Sequence, residues 1–421
     1  MKYKLSFILI NIDIFIPIIL INLLGSIYTN YTKDFLITTS IIFAISIIIY
    51  SVITNMYYKY FFSHMDKKLK HAFYSWLFTV IVEFLFIKIF YNDFTSINLN
   101  LIWIWILVPN VILLLRFFIK SKYFMNKENR IEILILGNDY KFTTYELKRL
   151  IAYNYTMRYV KDVYEIINES DVEFLVINQE NFSIQDELEI KNKHSLIDIF
   201  TIPNFLERYL RKLYISEKTI SSLSQVKPFK FNQYIVKRFI DLIACVLVIP
   251  FLLILLPVAL IAIKVQSTGE ILFKQTRVTI SNNKFKMYKF RTMHEISSQG
   301  DRVSDKDRIF PFGKFLRKFR FDEIPQILNV LYGDMHISGP RAEWYKLSEE
   351  YLIQIPFYKL RYEVNSGITG WAQVMFRYGH DSIDAKQKLM YDLYYIKNWS
   401  FWLDLEIGIR TFLVILKKQG I

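Results

Sequence analysis

The chain has 421 residues, 53% of them hydrophobic and 17% aromatic, with a formal charge of +14. So much apolar content exceeds an ordinary soluble chain and calls for membrane segments beside at least one soluble domain, while the charge calls for an anionic partner, lipid headgroups or a nucleotide. The one cysteine, Cys245, excludes a disulfide framework within the chain and agrees with a cytosolic place for the soluble parts.

Residues 1–120 hold four long apolar runs, Leu5–Ile27, Phe35–Tyr58, Ala72–Tyr91 and Leu99–Ile119. Each is long enough to cross a hydrocarbon core of ~30 Å. Lys2 and Lys4 precede the first run, and Lys59, Lys67, Lys68 and Lys70 separate the second from the third, whereas the loop Asn92–Asn98 has Asp93 and no Lys or Arg. The positive-inside rule then puts the N-terminus and everything after Lys120 in the cytoplasm. The first run is long and no A-x-A-like site follows it, so no cleaved signal peptide is expected. Asp13, Glu83 and Lys88 are costly in lipid and are expected to face one another, the bundle or its ends; transport carries little weight with so few ionisable residues.

From about Asn129 the pattern changes to soluble α/β. Ile131–Leu136 followed by Gly137 reads as strand and turn, Thr143–Ala152 as a helix and Val172–Ile177 as another strand. Gly-Asn-Asp after the first strand is not G-x-G-x-x-G, so residues 129–225 read as a degenerate Rossmann-like domain without a dinucleotide, leaving through the linker Ser221–Gln225.

The apolar run Val236–Val265 is also long enough to span, but Lys237 and Arg238 stand at one end and Lys264 at the other. Both ends thus carry the cytoplasmic signature, and Pro250 and Pro257 interrupt the run. A helix that breaks at proline, dips in and returns to the same face reconciles these facts; a kinked fifth transmembrane helix is the alternative. Beyond it, Phe273–Met293 reads as strand, turn at Ser281-Asn282-Asn283, and strand. From Lys284 to Arg320 there are eleven Lys or Arg against four Asp or Glu. That surface fits anionic lipid or, more sharply, a diphosphate. Nucleic acid is not expected, because the cations are interleaved with apolar residues beside a membrane segment.

Gly313–Arg341, GKFLRKFRFDEIPQILNVLYGDMHISGPR, places Asp322 and Glu323 between a basic run and a Gly-Pro-Arg turn. Ile324–Leu331 has helical spacing with Pro325 in the first turn, so Asp322 is expected at a helix N-terminus, where the dipole would lower its pKa. An ionised carboxylate facing a phosphate held by cations suits nucleophilic phosphoryl transfer. The same residues also describe a capped surface helix.

In order along the chain, the segment from about Lys237 to Ile421 carries Lys237-Arg238-x-x-Asp241, Lys274–Val278, Lys289–Met293 and Asp322–Gln326, then Asn329–Leu331, Gly333–Met335, Gly339–Arg341, Gly367–Val374 and Tyr391–Asn398 with Ser400 and Asp404. On these motifs it resembles the bacterial sugar transferase family, the membrane phosphoglycosyl transferases, and the whole architecture resembles the family's large subgroup. The fold class implied is membrane α plus α/β: four transmembrane helices, a degenerate Rossmann-like domain, then residues 226–421 as a re-entrant membrane helix (about 236–265) with an α+β catalytic domain, in the cytoplasmic membrane. The resemblance implies transfer of a sugar 1-phosphate from a UDP-sugar to undecaprenyl phosphate with release of UMP, as the first membrane step of exopolysaccharide or capsule assembly. Asp322 would be the nucleophile of a covalent phosphosugar intermediate and Glu323 a Mg2+ ligand. Arg341 would clamp phosphate, Lys289 and Arg291 would contact the same diphosphate, and Arg377 the uridine or sugar. Arg238, Asp241, Pro250 and Pro257 belong to the membrane helix. Partners would be the UDP-sugar, the polyprenyl phosphate and the bilayer; a homo-oligomer stays open, and the four-helix region, which has no catalytic signature, could mediate partner or oligomer contacts.

The chain departs from the family pattern in places: Pro250 and Pro257 flank the point in the dip where members usually have one proline after a small residue, Ser366 and Ala342 stand where proline is usual, and His336 where serine is usual, the last three read as loop variation. Direct attack in a ternary complex and a catalytically inactive scaffold for polysaccharide assembly enzymes are the alternatives.

Overall fold

The computed structural model describes residues 2–29, 31–56, 64–90, 99–124, 131–137, 140–153, 155–168, 174–178, 182–194, 197–216, 223–294, 307–376 and 382–416. The run ends at Tyr58 and Tyr91, Lys59, the loop 92–98, residues 295–306 of the segment from Lys284 to Arg320, linker residues 221–222 and Arg377 lie outside them. The chain folds as two compact units, Met1–Leu175 with Gln179–Asp198, and Val176–Asn178 with Ile199–Ile421.

In the first unit the apolar runs form helices Lys2–Tyr28, Lys33–Ile53, Met65–Phe90 and Leu99–Phe124. The first three are long and apolar enough to cross a membrane; the fourth has a shorter apolar stretch, Ile102–Arg116. Their shared core includes Ile21, Phe43, Ile47, Ile87, Trp105 and Val108. Asp13 is buried and paired with Arg116 of the fourth helix, and Glu83 is buried as well. A charge in an apolar layer is tolerated when a partner shares the burial, and the Asp13 pair meets that condition.

An α/β region with a parallel sheet follows. Strands β1 (Ile131–Leu136) and β2 (Tyr155–Val160) pair in parallel, Ile131 opposite Tyr155. With β3 (Phe174–Ile177) and β4 (Asp198–Thr201) the order is β2-β1-β3-β4. The expected helix begins one residue later, at Thr144, because Thr143 caps it. Its hydroxyl accepts from the Glu146 amide, and the Glu146 carboxylate accepts from the Thr143 amide.

The second unit is built on a 36-residue helix, Phe231–Gln266, whose helical course continues through Pro250 and Pro257. One stripe of it packs on the soluble core. Lys237, Asp241, Cys245, Ala259 and Ile263 are buried, with Val248, Leu252, Leu255 and Leu256 partly so. This spacing of three and four residues is one helix face. The opposite face, including Phe239, Leu247, Phe251, Ile254 and Ile261, is more than half exposed. The helix is also long and apolar enough to span.

On the stripe lies the expected hairpin, β5 (Leu272–Val278) antiparallel to β6 (Lys284–Phe290), with Leu272 opposite Phe290. Its turn places Ser281 and Asn282 at positive φ. A second pair, β7 (His336–Ser338) and β8 (Gly367–Thr369), is parallel. There the chains approach so closely that a Cβ on Gly367 would lie 2.1 Å from the Gly339 nitrogen, so both glycine motifs serve backbone contact.

Candidate active site

Asp322 and Glu323 do not open an α-helix. They lie in a 3-10 turn, Phe321–Gln326, entered through Arg320 at φ 56°, and the α-helix itself runs only from Ile327 to Tyr332. A helix this short contributes little dipole at Asp322. The expected lowering of its pKa is therefore reversed. Burial first, and Glu323 next to it, push the Asp322 carboxyl up, against Lys289, Arg317 and a backbone hydrogen bond. Glu323 moves the other way. Burial would raise it, but Lys289, Arg341 and Arg320 together hold it below the usual carboxylate range. Lys289 Nζ donates to Glu323 Oε1 at 3.0 Å, and Arg320 is 3.9 Å from Oε2. Neighbouring carboxylates are thereby split into a more basic Asp322 and a firmly ionised Glu323, the arrangement expected where two acids have different roles.

The turn is held by Asn329. Its side-chain amide donates to Lys286 O at 2.8 Å, and its Oδ1 accepts from Tyr288 N at 3.1 Å, so it continues the edge of β6. The same strand delivers Lys289. The Gly-Pro-Arg turn arrives from the other side: Gly339 N donates to Thr369 O at 2.9 Å and Gly367 N to Pro340 O at 2.8 Å. Arg277, Lys289, Glu323, Gln326, Arg341 and Gly367 thus line one small cleft.

Arg277 was not singled out by the sequence beyond its motif. Its Nη1 donates to Ala342 O at 3.0 Å and its Nη2 to Gln275 Oε1 at 2.6 Å, while its buried Nε has no hydrogen-bond partner among the described residues. Burial and the nearby Arg341 pull it down to about 10, still protonated at neutral pH. The available signal was that Gln275 and Arg277 share one face of a period-two strand. Which partner that face meets depends on the fold.

Of the other expected site residues, Arg291 donates to Thr268 O at 2.5 Å, at the exit of the membrane helix. Arg377 lies outside the described residues. Arg238 donates to the carbonyls of Val330 and, at 2.8 Å, Leu331, at the end of the helix that follows the Asp-Glu turn. Asp241 accepts from Ile337 N at 3.0 Å and pairs with His336 Nδ1 at 2.6 Å. His336 is therefore a buried strand residue that anchors the membrane helix, not a loop variant. At Ser366 the backbone amide donates to Thr279 Oγ1 at 3.2 Å, a bond that proline could not make.

Mg2+ prefers oxygen ligands and commonly takes one or two carboxylates plus substrate phosphates. No group of three or more His, Cys, Asp or Glu able to hold a metal occurs among the described residues. An ionised Glu323 in a cation-rich cleft fits the mode in which a bound diphosphate supplies most of the oxygens.

A carboxylate pair and a cluster of cations, on a core with a long apolar helix along its side, form an arrangement that suits phosphoryl transfer. The model of the family described as bacterial sugar transferase matches residues 232–418. The chain is similar to a UDP-N-acetylgalactosamine-undecaprenyl-phosphate N-acetylgalactosaminephosphotransferase of Aeromonas hydrophila, 37% identical over 227 residues, a match covering 53% of the chain and 53%, about half, of that relative. It is 39% identical over 194 residues to an uncharacterized sugar transferase, EpsL, of Bacillus subtilis, 44% of the chain and 90% of that relative. With the galactosyl transferase CpsE of Streptococcus agalactiae it shares 28% identity over 396 residues, 82% of the chain and 86% of the relative. The chain belongs to the bacterial sugar transferase family.

Proposed function

We propose that this protein transfers a sugar 1-phosphate from a UDP-sugar to undecaprenyl phosphate, giving the undecaprenyl-diphosphate sugar and UMP, as the first membrane step of exopolysaccharide or capsule assembly. The observation that carries this reading is the placement of Asp322 and Glu323 on one turn, Glu323 bonded to Lys289 at 3.0 Å and lining one cleft with Arg277, Lys289 and Arg341. A raised pKa makes Asp322 the more basic and hence the stronger nucleophile of the two once ionised. Asp322 attacks the sugar-bearing phosphorus, the bond to the UMP oxygen breaks, and UMP leaves. A phosphate oxygen of the lipid then attacks the same phosphorus and releases the Asp322 carboxylate. Arg341 and Arg277 hold the diphosphate oxygens, and Lys289 orients Glu323 while balancing charge. Mg2+, held by Glu323 together with substrate oxygens, would supply further charge neutralisation when bound.

The topology belongs to the same proposal. Lys237 Nζ is 2.7 Å from Asp404, and at the other end Gln266 Oε1 accepts from Phe312 N at 2.9 Å. Both ends of the apolar helix are thus fastened to the same soluble core, which supports a helix that dips into the cytoplasmic membrane and returns. The catalytic core then faces the cytoplasm, where UDP-sugars are, and the parallel sheet of the first unit is a Rossmann-like domain without a dinucleotide.

The test is UMP release by the detergent-solubilised full chain with undecaprenyl phosphate, Mg2+ and a panel of UDP-sugars. UMP is expected from at least one donor, with label from the sugar phosphate retained on the protein when lipid is omitted. Label-free protein with normal turnover would replace the covalent step by direct attack. Folded protein that releases no UMP from any donor would point to the inactive scaffold.

A further inference from the structure

Behind Arg341 lies a second cavity of about 190 Å3, which shares that arginine with the cleft. Its walls mix apolar and aromatic groups, such as Leu347 and Phe376, with the charged residues Glu343, Arg361, Lys388 and Asp392 beside Arg341. Asp392 is 2% exposed; its Oδ2 accepts from Arg361 Nη2 at 3.0 Å, but its Oδ1 has no hydrogen-bond partner among the described residues. Gln373 Oε1 and Arg361 Nε, around the same cavity, are also without one. Leaving a buried polar atom unpaired costs roughly 1–3 kcal/mol, so three around one cavity mark a place where a ligand replaces the missing partners. Arg361 Nη2 also donates to Arg341 O at 2.9 Å, which ties the cavity wall to the phosphate side of the cleft.

The chemistry of the wall selects between the two ends of a nucleotide sugar. Uracil offers one N–H donor between two carbonyl acceptors, so it can donate to only one of the wall acceptors Asp392, Glu343 and Gln373. A hexose offers hydroxyls, each able to donate. We propose that this cavity holds the sugar ring of the donor, with Asp392 Oδ1 accepting from a ring hydroxyl or an acetamido N–H. The proposal rests on the UDP-sugar reading above and extends it to the residue that selects the sugar. Burial pushes Asp392 up to about 6 against the pull of Arg361, so the carboxylate is mostly ionised, and able to accept, at neutral pH.

The experiment is titration calorimetry on the detergent-solubilised full chain with UDP, UDP-glucose, UDP-galactose, UDP-N-acetylglucosamine and UDP-N-acetylgalactosamine, comparing wild type with Asp392→Asn and Gln373→Leu. One UDP-sugar is expected to bind more tightly than UDP, and each variant to weaken that sugar about tenfold, about 1.4 kcal/mol, while UDP stays within about twofold. Gln373→Leu, which leaves the Arg361 pair intact, decides the matter should Asp392→Asn fail to fold. Equal weakening of UDP and UDP-sugar would put the nucleoside in the cavity and overturn the proposal, as would unchanged binding of both. Wild-type protein that binds no UDP compound would overturn the donor reading itself, a distinct result visible before any variant is made.

Discussion

Two groups of charged residues in the second unit, one buried and one part-buried, are balanced differently. Along the membrane helix, Lys237 meets Asp404, which also accepts from Tyr395 Oη at 2.8 Å and Trp399 Nε1 at 2.9 Å, and Asp241 meets His336. Each carboxylate there has partners. In the cleft, Arg277, Lys289 and Arg341 stand around Glu323, and Arg277 and Arg341 disfavour each other's charge. A closed set of pairs holds structure together; cations gathered on one wall beside a carboxylate pair suit a bound anion. The comparison separates anchor from site without any ligand being present.

The largest effect expected is that of Asp322→Asn. Removing the proposed nucleophile should lower UMP release by at least about a thousandfold while the protein stays folded in the membrane fraction. Residual turnover within tenfold of wild type would take the nucleophile role from Asp322.

Breaking the closed set comes next. Lys237→Met leaves Asp404 buried without its cation, and denaturation should show a loss of about 3–5 kcal/mol. Retained stability would mean that the anchor is not held by this pair. The cleft should respond in the opposite way: Arg277→Gln is expected to change the unliganded stability by no more than about 1 kcal/mol, yet to abolish most of the rise in Tm produced by UDP. A large loss of stability without UDP would return Arg277 to the structural class.

The smallest expected effect concerns pH. Burial, the leading influence, holds the His336 pKa below 6.5 in spite of Asp241. The unfolded chain then binds a proton more readily than the folded one as the pH falls below about 6.5. His336 should therefore contribute full stability above that value and lose it toward acid. Thermal unfolding of wild type and His336→Asn across pH 5 to 8 should show a steeper acid decline in wild type; equal slopes would remove His336 as its source.

The sequence carried different amounts of information in different places. The hairpin Phe273–Met293 was legible because turn residues and alternation act over a few positions. The helix expected at Asp322 was half right: its spacing is helical, but Arg320 in the left-handed region and Pro325 within the turn delay the α-helix to Ile327. Arg291, grouped with Lys289 by its motif, instead reaches Thr268. A motif shows which residues occur together, not which way each side chain leaves the backbone.

By itself the sequence determined the apolar runs of the membrane region, the change to α/β at about residue 129, the family and the Asp-Glu pair, because hydropathy, strand period and motif order are local properties of a chain. Only the tertiary structure decided which charges are brought together. Lys237 and Asp404 are 167 positions apart, Arg211 and Glu406 are 195 apart, and Arg277 gains its meaning from Arg341 across two strands. Burial and charge balance depend on what folding brings within a few ångströms, and that is why similar charged side chains form an anchor in one place and line a cleft in the other.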